Sequence, residues 1–138
     1  MIAGQIADLE ERESILSEKR LEYVNGHKSG LLYEFSARAG AILGSATEFQ
    51  LQHLGQFGYQ LGLAYQALDD ICDVTASADK LGKDVNKDLN KTSAVTLYGV
   101  SGARLLAKKY LTNALDALSD VRVDVNRLSV LARLIVPL

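Results

Sequence analysis

The clearest pattern of apolar and polar residues lies in the middle of the chain, over residues 48–74. Apolar side chains and one glycine recur there at alternating steps of three and four residues: Leu51, Leu54, Gly58, Leu61, Tyr65, Leu68 and Cys72. Such steps return to the same side of an α-helix, whereas a strand needs an alternation of period two. The pattern therefore predicts one long helix whose apolar stripe faces a core.

Two further segments carry the same helical spacing. Over residues 30–43, the residues on one side are Leu32, Phe35, Ala39 and Leu43. Over residues 101–118, the apolar face consists of Ala103, Leu106, Tyr110, Ala114 and Leu118. Ser101 stands at the start of this second segment, where a serine side chain commonly caps a helix. We therefore expect two more helices that pack against the long one.

Four shorter helices and one polar loop complete the expected organisation. The helices are predicted at residues 2–12, 17–24, 92–98 and 126–136, and the loop at residues 75–90. Loops longer than about 12–15 residues are uncommon in compact domains and are frequently functional. The single proline, Pro137, lies next to the C-terminus and interrupts none of these helices. The predicted fold class is all-α, a helical bundle that is one domain or part of one.

Composition narrows the class of protein. Of the 138 residues, 48% are apolar and 23% are charged, which is typical of a globular chain. The net charge of -2 lacks the basic character of a typical nucleic-acid-binding domain. No apolar run approaches the roughly 18 residues of a membrane span, and no signal peptide is visible. One cysteine, Cys72, excludes an internal disulfide, and we expect a cytoplasmic protein.

Candidate chemistry lies at the end of the long helix. Gln66, Asp69, Asp70 and Asp73 are spaced to lie on one strip of its surface. Like charges on adjacent turns destabilise a helix, and carboxylates near its C-terminus oppose the macrodipole. Mg²⁺ would compensate for this, because it binds one or two carboxylates and takes its remaining ligands from water and substrate phosphates. The alternative is a solvated acidic helix end, and the spacing alone leaves both interpretations open.

Lysines follow and precede this acidic strip (Asp69, Asp70 and Asp73). Lys83, Lys87 and Lys91 recur every four residues in the polar segment, and Lys28 lies in a predicted loop, residues 27–30, ahead of the helix over residues 30–43. Lysine binds phosphate as a point charge, so these residues are candidate phosphate ligands, although a solubilising loop has the same composition. Ser29 is either the N-cap of the following helix or a hydroxyl that faces a bound anion.

Several ordered motifs resemble the trans-isoprenyl diphosphate synthases. Residues 58–73, GYQLGLAYQALDDICD, resemble the second aspartate-rich motif of that family. Residues 1–9 resemble its Gly-Gln helix and residues 27–31 its His-Lys-Thr-Gly segment. The helix continuation of the family resembles residues 40–43, and its two lysine positions resemble residues 81–83 and 90–92. The C-terminal ending of the family resembles residues 131–136. The resemblance implies the C-terminal half of an isoprenoid-synthase helical bundle over residues 1–138.

The resemblance also implies roles for individual residues. Asp69, Asp70 and Asp73 would bind Mg²⁺ that bridges to a diphosphate. The residues that would contact this diphosphate are Lys28, Lys83 and Lys91. The catalytic set implied is Lys28, Ser29 and Gln66, of which Ser29 and Gln66 would lie near the carbocation of an ionised allylic diphosphate. The reaction implied is condensation of isopentenyl diphosphate with that allylic diphosphate.

Three departures from the family pattern matter. The loop between Lys83 and Lys91 is about one or two residues shorter than in the family, which leaves the placement of Lys91 and the role of Lys87 open. Ser29 stands where the family usually has threonine, so the hydroxyl is kept and a methyl group is lost. The chain begins inside the Gly-Gln helix, and no first aspartate-rich motif precedes it. We therefore expect either a prenyltransferase half that is catalytic only with its other half, or a non-catalytic helical module that pairs with another synthase subunit. A homo-oligomer is also expected, and the role of Lys87 is left open.

Overall fold

The computed structural model describes residues 17–80 and 92–138, with no side-chain description for residues 76–80. Within these ranges the chain is helical and contains no strand, so the all-α prediction is confirmed. The elements are α1 (Glu18–Asn25), a π-helical turn (Gly26–Gly30), α2 (Leu31–Leu43), α3 (Glu48–Lys80), α4 (Ala94–Ser119) and α5 (Asn126–Ile135). None of the helices in the described ranges is both long and apolar enough to cross a membrane.

The ends of the short helices agree closely with the sequence pattern. The side chain of Ser17 accepts a hydrogen bond from the backbone N–H of Arg20, which caps the start of α1. The last helix was expected over residues 126–136, and α5 ends one residue earlier. The helix expected over residues 2–12 lies outside the described residues.

The polar loop expected over residues 75–90 is wrong in its first part, because α3 continues to Lys80. Thr75 does not end the helix, since its hydroxyl donates to the carbonyls of Ile71 and Cys72 one turn earlier. Gly82 is the first glycine or proline after Thr75, so nothing in the intervening sequence breaks the helix. The rest of the expected loop, residues 81–90, lies outside the described residues.

The helices expected over residues 92–98 and 101–118 form one element with a break. The positive φ of 66° at Gly99 interrupts the helical backbone, and a glycine adopts such a value without steric cost. The predicted N-cap at Ser101 is wrong, because Ser93 caps α4 instead. The Ser93 hydroxyl accepts from the N–H of Thr96, and the Thr96 hydroxyl accepts from the N–H of Ser93.

The core lies around α3, which packs along both α2 and α4. The buried apolar side chains of one cluster are Phe57, Leu61, Ala64, Leu111, Ala114, Ala117, Leu118, Ala132 and Val136. Of the apolar face predicted for α4, Ala103, Ala114 and Leu118 are buried, so the prediction is confirmed at these positions. The single stripe predicted for α3 is only partly right, because Tyr65 and Cys72 are exposed. Helices pack on two sides of α3, so its buried surface follows both contacts.

The packed face of α2 is not the predicted one. Three of the four residues on the predicted side are exposed: Leu32, Phe35 and Leu43. The contact with α3 is made through small groups, because a Cβ on Gly58 would lie 2.5 Å from the Tyr33 carbonyl oxygen and 2.9 Å from the Ala37 Cβ. The two backbones therefore approach more closely than large apolar side chains would allow at this point, and Leu32, Phe35 and Leu43 remain exposed.

Candidate active site

Two of the candidate residues, Lys28 and Ser29, lie in the π-helical turn between α1 and α2. The sequence pattern predicted a loop here, but the helix is continuous and only its hydrogen bonding changes. Gly26 and Gly30 flank the turn and face the Tyr59 ring, and a Cβ on them would lie 2.6 Å and 2.8 Å from its atoms. Single π-helical turns within α-helices are frequent at functional sites. The turn places the Ser29 side chain towards α3.

The Ser29 hydroxyl contacts Gln66 on α3 and does not cap a helix. Its Oγ donates to the Gln66 Oε1 at 2.8 Å, and both side chains are buried. The first residue before α2 is Gly30, which provides no side-chain cap. Capping is one of the two interpretations of Ser29 from the sequence, and it is wrong because the turn continues the helix through this residue. The Ser29 hydroxyl instead binds Gln66, which lies 37 residues away in sequence.

Gln66 connects this hydroxyl to the acidic strip. Its Nε2 donates to the Asp69 Oδ2 at 3.3 Å and to the Asp70 Oδ1 at 3.3 Å. The amide therefore accepts on one side and donates on the other, which fixes its orientation between Ser29 and the carboxylates. Asp69 and Asp70 are three and four residues after Gln66, so helical spacing alone brings these groups together, as the sequence predicted.

The three carboxylates differ in exposure along the strip. Asp70 is buried at 9% exposure, whereas Asp69 is half-buried and Asp73 is exposed. The Asp70 Oδ2 also accepts the backbone N–H of Ala94, the first residue of α4, at 2.8 Å. The acidic strip, which lies before the last turns of α3, is thus joined to the start of α4. Sequence reasoning missed this contact, although the Ser93-x-x-Thr96 pattern marks a helix start at this point.

The donor set fits Mg²⁺ bound together with phosphate rather than a closed metal site. In the described ranges, no group of three or more His, Cys, Asp or Glu side chains is placed to hold a metal ion. Mg²⁺ is usually bound by one or two carboxylates and completes its octahedral shell with water and substrate phosphate. The half-buried and exposed carboxylates, Asp69 and Asp73, provide such oxygens next to the buried network.

The proposed phosphate ligands are only partly within the described residues. Lys28 is half-buried in the π-helical turn, next to Ser29. Lys83, Lys87 and Lys91 lie outside the described residues. The structure therefore brings Ser29, Gln66, Asp69 and Asp70 into one hydrogen-bonded network, and Lys28 adjoins it in the chain.

Aromatic and apolar groups adjoin this network. The Tyr33 and Tyr65 rings stack with centroids 5.8 Å apart, and burial, with a smaller contribution from Tyr65, raises the pKa of Tyr33. Tyr65 directly precedes Gln66 on α3. Leu31 and Phe35 follow the turn on α2 and are exposed. These aromatic and apolar residues are therefore close to Ser29 and Gln66 in sequence.

The profile of one protein family, polyprenyl synthetase, matches residues 1–128. The chain belongs to the polyprenyl synthetase family. The farnesyl diphosphate synthase of Geobacillus stearothermophilus is 35% identical to it over 137 residues, which cover 98% of this chain and 46% of that protein. The chloroplastic geranylgeranyl pyrophosphate synthase of Capsicum annuum is 39% identical over 110 residues, covering 78% of this chain and 30% of that protein.

Solved structures of the family share the fold. A geranyltransferase of Helicobacter pylori, complexed with magnesium and isoprenyl diphosphate, superposes with a TM-score of 0.77 at 28% identity. That match covers 99% of this polyprenyl synthetase family member and 46% of the other chain. The chain thus spans about half the length, or less, of the relatives described here.

Proposed function

We propose that this family member provides one half of a prenyltransferase site, the half that carries the second aspartate-rich motif. The reaction is the condensation of isopentenyl diphosphate with an allylic diphosphate to give a longer isoprenyl diphosphate. The observation that carries the proposal is the hydrogen-bonded network of Ser29, Gln66, Asp69 and Asp70, which joins the π-helical turn to the acidic strip. The names of the relatives, which are isoprenyl diphosphate synthases, support the substrate class.

The diphosphate end of the site is assigned to charged side chains. The acidic strip is the magnesium-binding side, and Mg²⁺, when bound, neutralises negative charge on the diphosphate. Lys28, Lys83 and Lys91 bind the diphosphate oxygens. Cations placed where charge develops on a leaving group are usually the largest single contribution to catalysis.

The cationic end of the site is assigned to Ser29 and Gln66. Because Ser29 donates its only hydrogen to Gln66, its oxygen presents only lone pairs to other neighbours. Lone pairs favour a nearby positive charge, such as an allylic carbocation. The exposed apolar residues next to the turn, Leu31, Leu32 and Phe35, line a surface that suits a prenyl chain and excludes water from it.

The complete site also needs a segment that carries the first aspartate-rich motif, on the same polypeptide or on another synthase subunit. The exposed apolar side chains at the far end of α2, Ile42 at 63% and Leu43 at 87%, support a partner there. The same residues also fit the second candidate function, a non-catalytic module that binds an intact synthase. A cytoplasmic location is part of the proposal, supported only by the single unpaired cysteine, and relatives named chloroplastic exist.

The experiment mixes this chain with the N-terminal half of the Geobacillus relative and measures incorporation of radiolabelled isopentenyl diphosphate into an allylic primer. We expect activity only in the mixture. Asp69→Asn should lower it by about 10²–10³, the usual cost of removing one electrostatic contact from an active site. Asp116→Asn, which makes the same charge change on the exposed surface of α4, should leave it unchanged.

The two candidate functions give different results in this assay. If the chain is a non-catalytic module, it stimulates an intact synthase, and Asp69→Asn stimulates it equally. Turnover by the chain on its own would contradict the half-site assignment.

A further inference from the structure

The π-helical turn packs against one aromatic side chain of α3, the half-buried Tyr59. A Cβ on Gly26 would lie 2.6 Å from the Tyr59 Oη and 3.6 Å from its Cζ. A Cβ on Gly30 would lie 2.8 Å from Cε2 and 3.0 Å from Cδ2 of the same ring. One edge of the ring therefore reaches from the first residue of the turn to the last, and Lys28 and Ser29 lie between these two contacts.

The backbone itself does not require glycine at either end of the turn. Gly26 has a φ of -59° and a ψ of -49°, and Gly30 has a φ of -54° and a ψ of -55°. Any residue adopts these right-handed helical values, and alanine stabilises a helix more than glycine does. The three atoms nearest to the Cβ at each position all belong to Tyr59. The ring is thus the neighbour that excludes a side chain from both positions.

Tyr59 is the first of three residues on one side of α3 that contact the turn. Gly62 and Gln66 follow it at steps of three and four residues, which return to the same side of a helix. A Cβ on Gly62 would lie 2.7 Å from the Ser29 carbonyl oxygen, and the Gln66 Oε1 accepts from the Ser29 hydroxyl. A change in how the turn sits on the Tyr59 ring therefore changes where Ser29 lies relative to Gln66.

We propose that Tyr59 is a positioning residue, which fills the gap left by Gly26 and Gly30 and thereby fixes where the turn places Lys28 and Ser29. This role rests on the proposed function, because it assigns Lys28 and Ser29 to the diphosphate site. Replacing a residue that orients the groups of a metal site typically lowers affinity or activity by about 10–100-fold.

Paired substitutions separate the contact of the Tyr59 hydroxyl from that of the ring. In Gly26→Ala the new Cβ meets the hydroxyl oxygen, and Tyr59→Phe removes that oxygen and leaves Cζ at an ordinary contact distance of 3.6 Å. In Gly30→Ala the new Cβ meets ring carbons, which phenylalanine keeps. Tyr59→Phe should therefore rescue Gly26→Ala, whereas Gly30→Ala is the matched control that it should not rescue.

Binding of inorganic pyrophosphate in the presence of Mg²⁺ is measured by titration calorimetry, at a temperature at which circular dichroism shows each variant to be folded. We expect Gly26→Ala and Gly30→Ala each to lose about 10-fold or more in affinity. Tyr59→Phe and the double variant Gly26→Ala/Tyr59→Phe should stay within about threefold of the wild type. A ring that only stabilises the fold would lower Tm in Gly26→Ala and leave the affinity of the folded protein unchanged.

Three results would overturn the positioning role. The first is a wild-type affinity in folded Gly26→Ala, because the ring would then not control the turn. The second is a double variant that binds no better than Gly26→Ala, and the third is rescue of Gly30→Ala by Tyr59→Phe. If Gly26→Ala does not fold, the double variant decides: folding with near wild-type affinity supports the role, and failure to fold overturns it.

The side-chain amide signal of Gln66 in NMR reports the position of the turn without any ligand, because Gln66 is hydrogen-bonded to Ser29. We expect this signal to shift in Gly26→Ala and to return in the double variant. If the wild-type chain binds no pyrophosphate, the proposed function fails, and the Gln66 signal alone decides on Tyr59. A signal that shifts and returns would then support the positioning of the turn, and one that stays in place in Gly26→Ala would overturn it.

Discussion

The close approach of α3 to the π-helical turn gives a sharp stability prediction for Gly62→Ala. A Cβ at this position would lie 2.7 Å from the Ser29 carbonyl oxygen and 2.9 Å from both the Ser29 carbonyl carbon and the Gly30 Cα. All three are backbone atoms, so no side-chain rotation relieves the clash. The turn must move away from α3, which draws the Ser29 hydroxyl away from Gln66.

The magnitude follows from two opposing terms. Overpacking a tight interior typically costs 1–3 kcal/mol, and a clash with backbone places Gly62→Ala near the upper end, at about 3 kcal/mol. Alanine recovers about 1 kcal/mol, because it is the better helix former. The net loss is about 2 kcal/mol, which lowers Tm by about 6–8 °C at the roughly 3–4 °C per kcal/mol expected for a chain of this length.

Gly40→Ala on α2 is the matched control. A Cβ on Gly40 would meet no atom within 4 Å, so only the gain in helix propensity remains. We expect Tm to rise by about 3–4 °C, corresponding to about 1 kcal/mol. Both variants are measured by thermal unfolding followed by circular dichroism. A Gly62→Ala protein that melts at or above the wild-type Tm would refute the close-packing argument.

Three further predictions concern single side chains. Ser29→Ala leaves the buried Gln66 oxygen without its donor and should cost about 1–3 kcal/mol in urea unfolding, whereas Ser29→Thr should keep most of that stability. The hydrogen bond to Glu18, with burial second, raises the pKa of Tyr98 to about 12. The stabilisation of the folded state by this hydrogen bond is therefore complete below pH 10 and is lost between pH 10 and pH 12. The Tm difference between wild type and Tyr98→Phe should stay constant from pH 6 to 9 and then close, and a constant difference up to pH 12 would contradict this. Leu43→Ser should reduce self-association measured by light scattering, since Leu43 is 87% exposed at the end of α2, and unchanged association would show that this end of α2 is not the contact surface.

The fold was largely predictable because helical periodicity and capping residues are local signals. Ser17 marks the start of α1 by its side chain, and Gly99 marks the break in α4 by its conformational freedom. The prediction fails at residues 75–80, where polar side chains indicate a loop but the helix continues. The hydroxyl of Thr75 is satisfied within the helix, so polarity alone does not end it.

The site was predictable in its residues and less so in its contacts. The spacing of Gln66, Asp69 and Asp70 follows from one helix, and their hydrogen bonds follow from that spacing. The Ser29–Gln66 and Asp70–Ala94 contacts join residues 37 and 24 positions apart, and no periodic pattern contains them. The packed face of α2 also could not be predicted from a periodic pattern. It depends on the close approach of two helices at Gly58, which the pattern of one helix does not contain.

The most direct test of the half-site is calorimetric titration of the 138-residue chain with pyrophosphate and Mg²⁺, together and separately. One carboxylate strip without phosphate leaves most of the Mg²⁺ shell to water, so Mg²⁺ alone should bind weakly. We expect a clear binding signal only when both are present, and we expect Asp69→Asn to lose that signal. Tight binding of Mg²⁺ without pyrophosphate, or no binding of the pair, would contradict the claim that this strip and the π-helical turn bind a magnesium diphosphate.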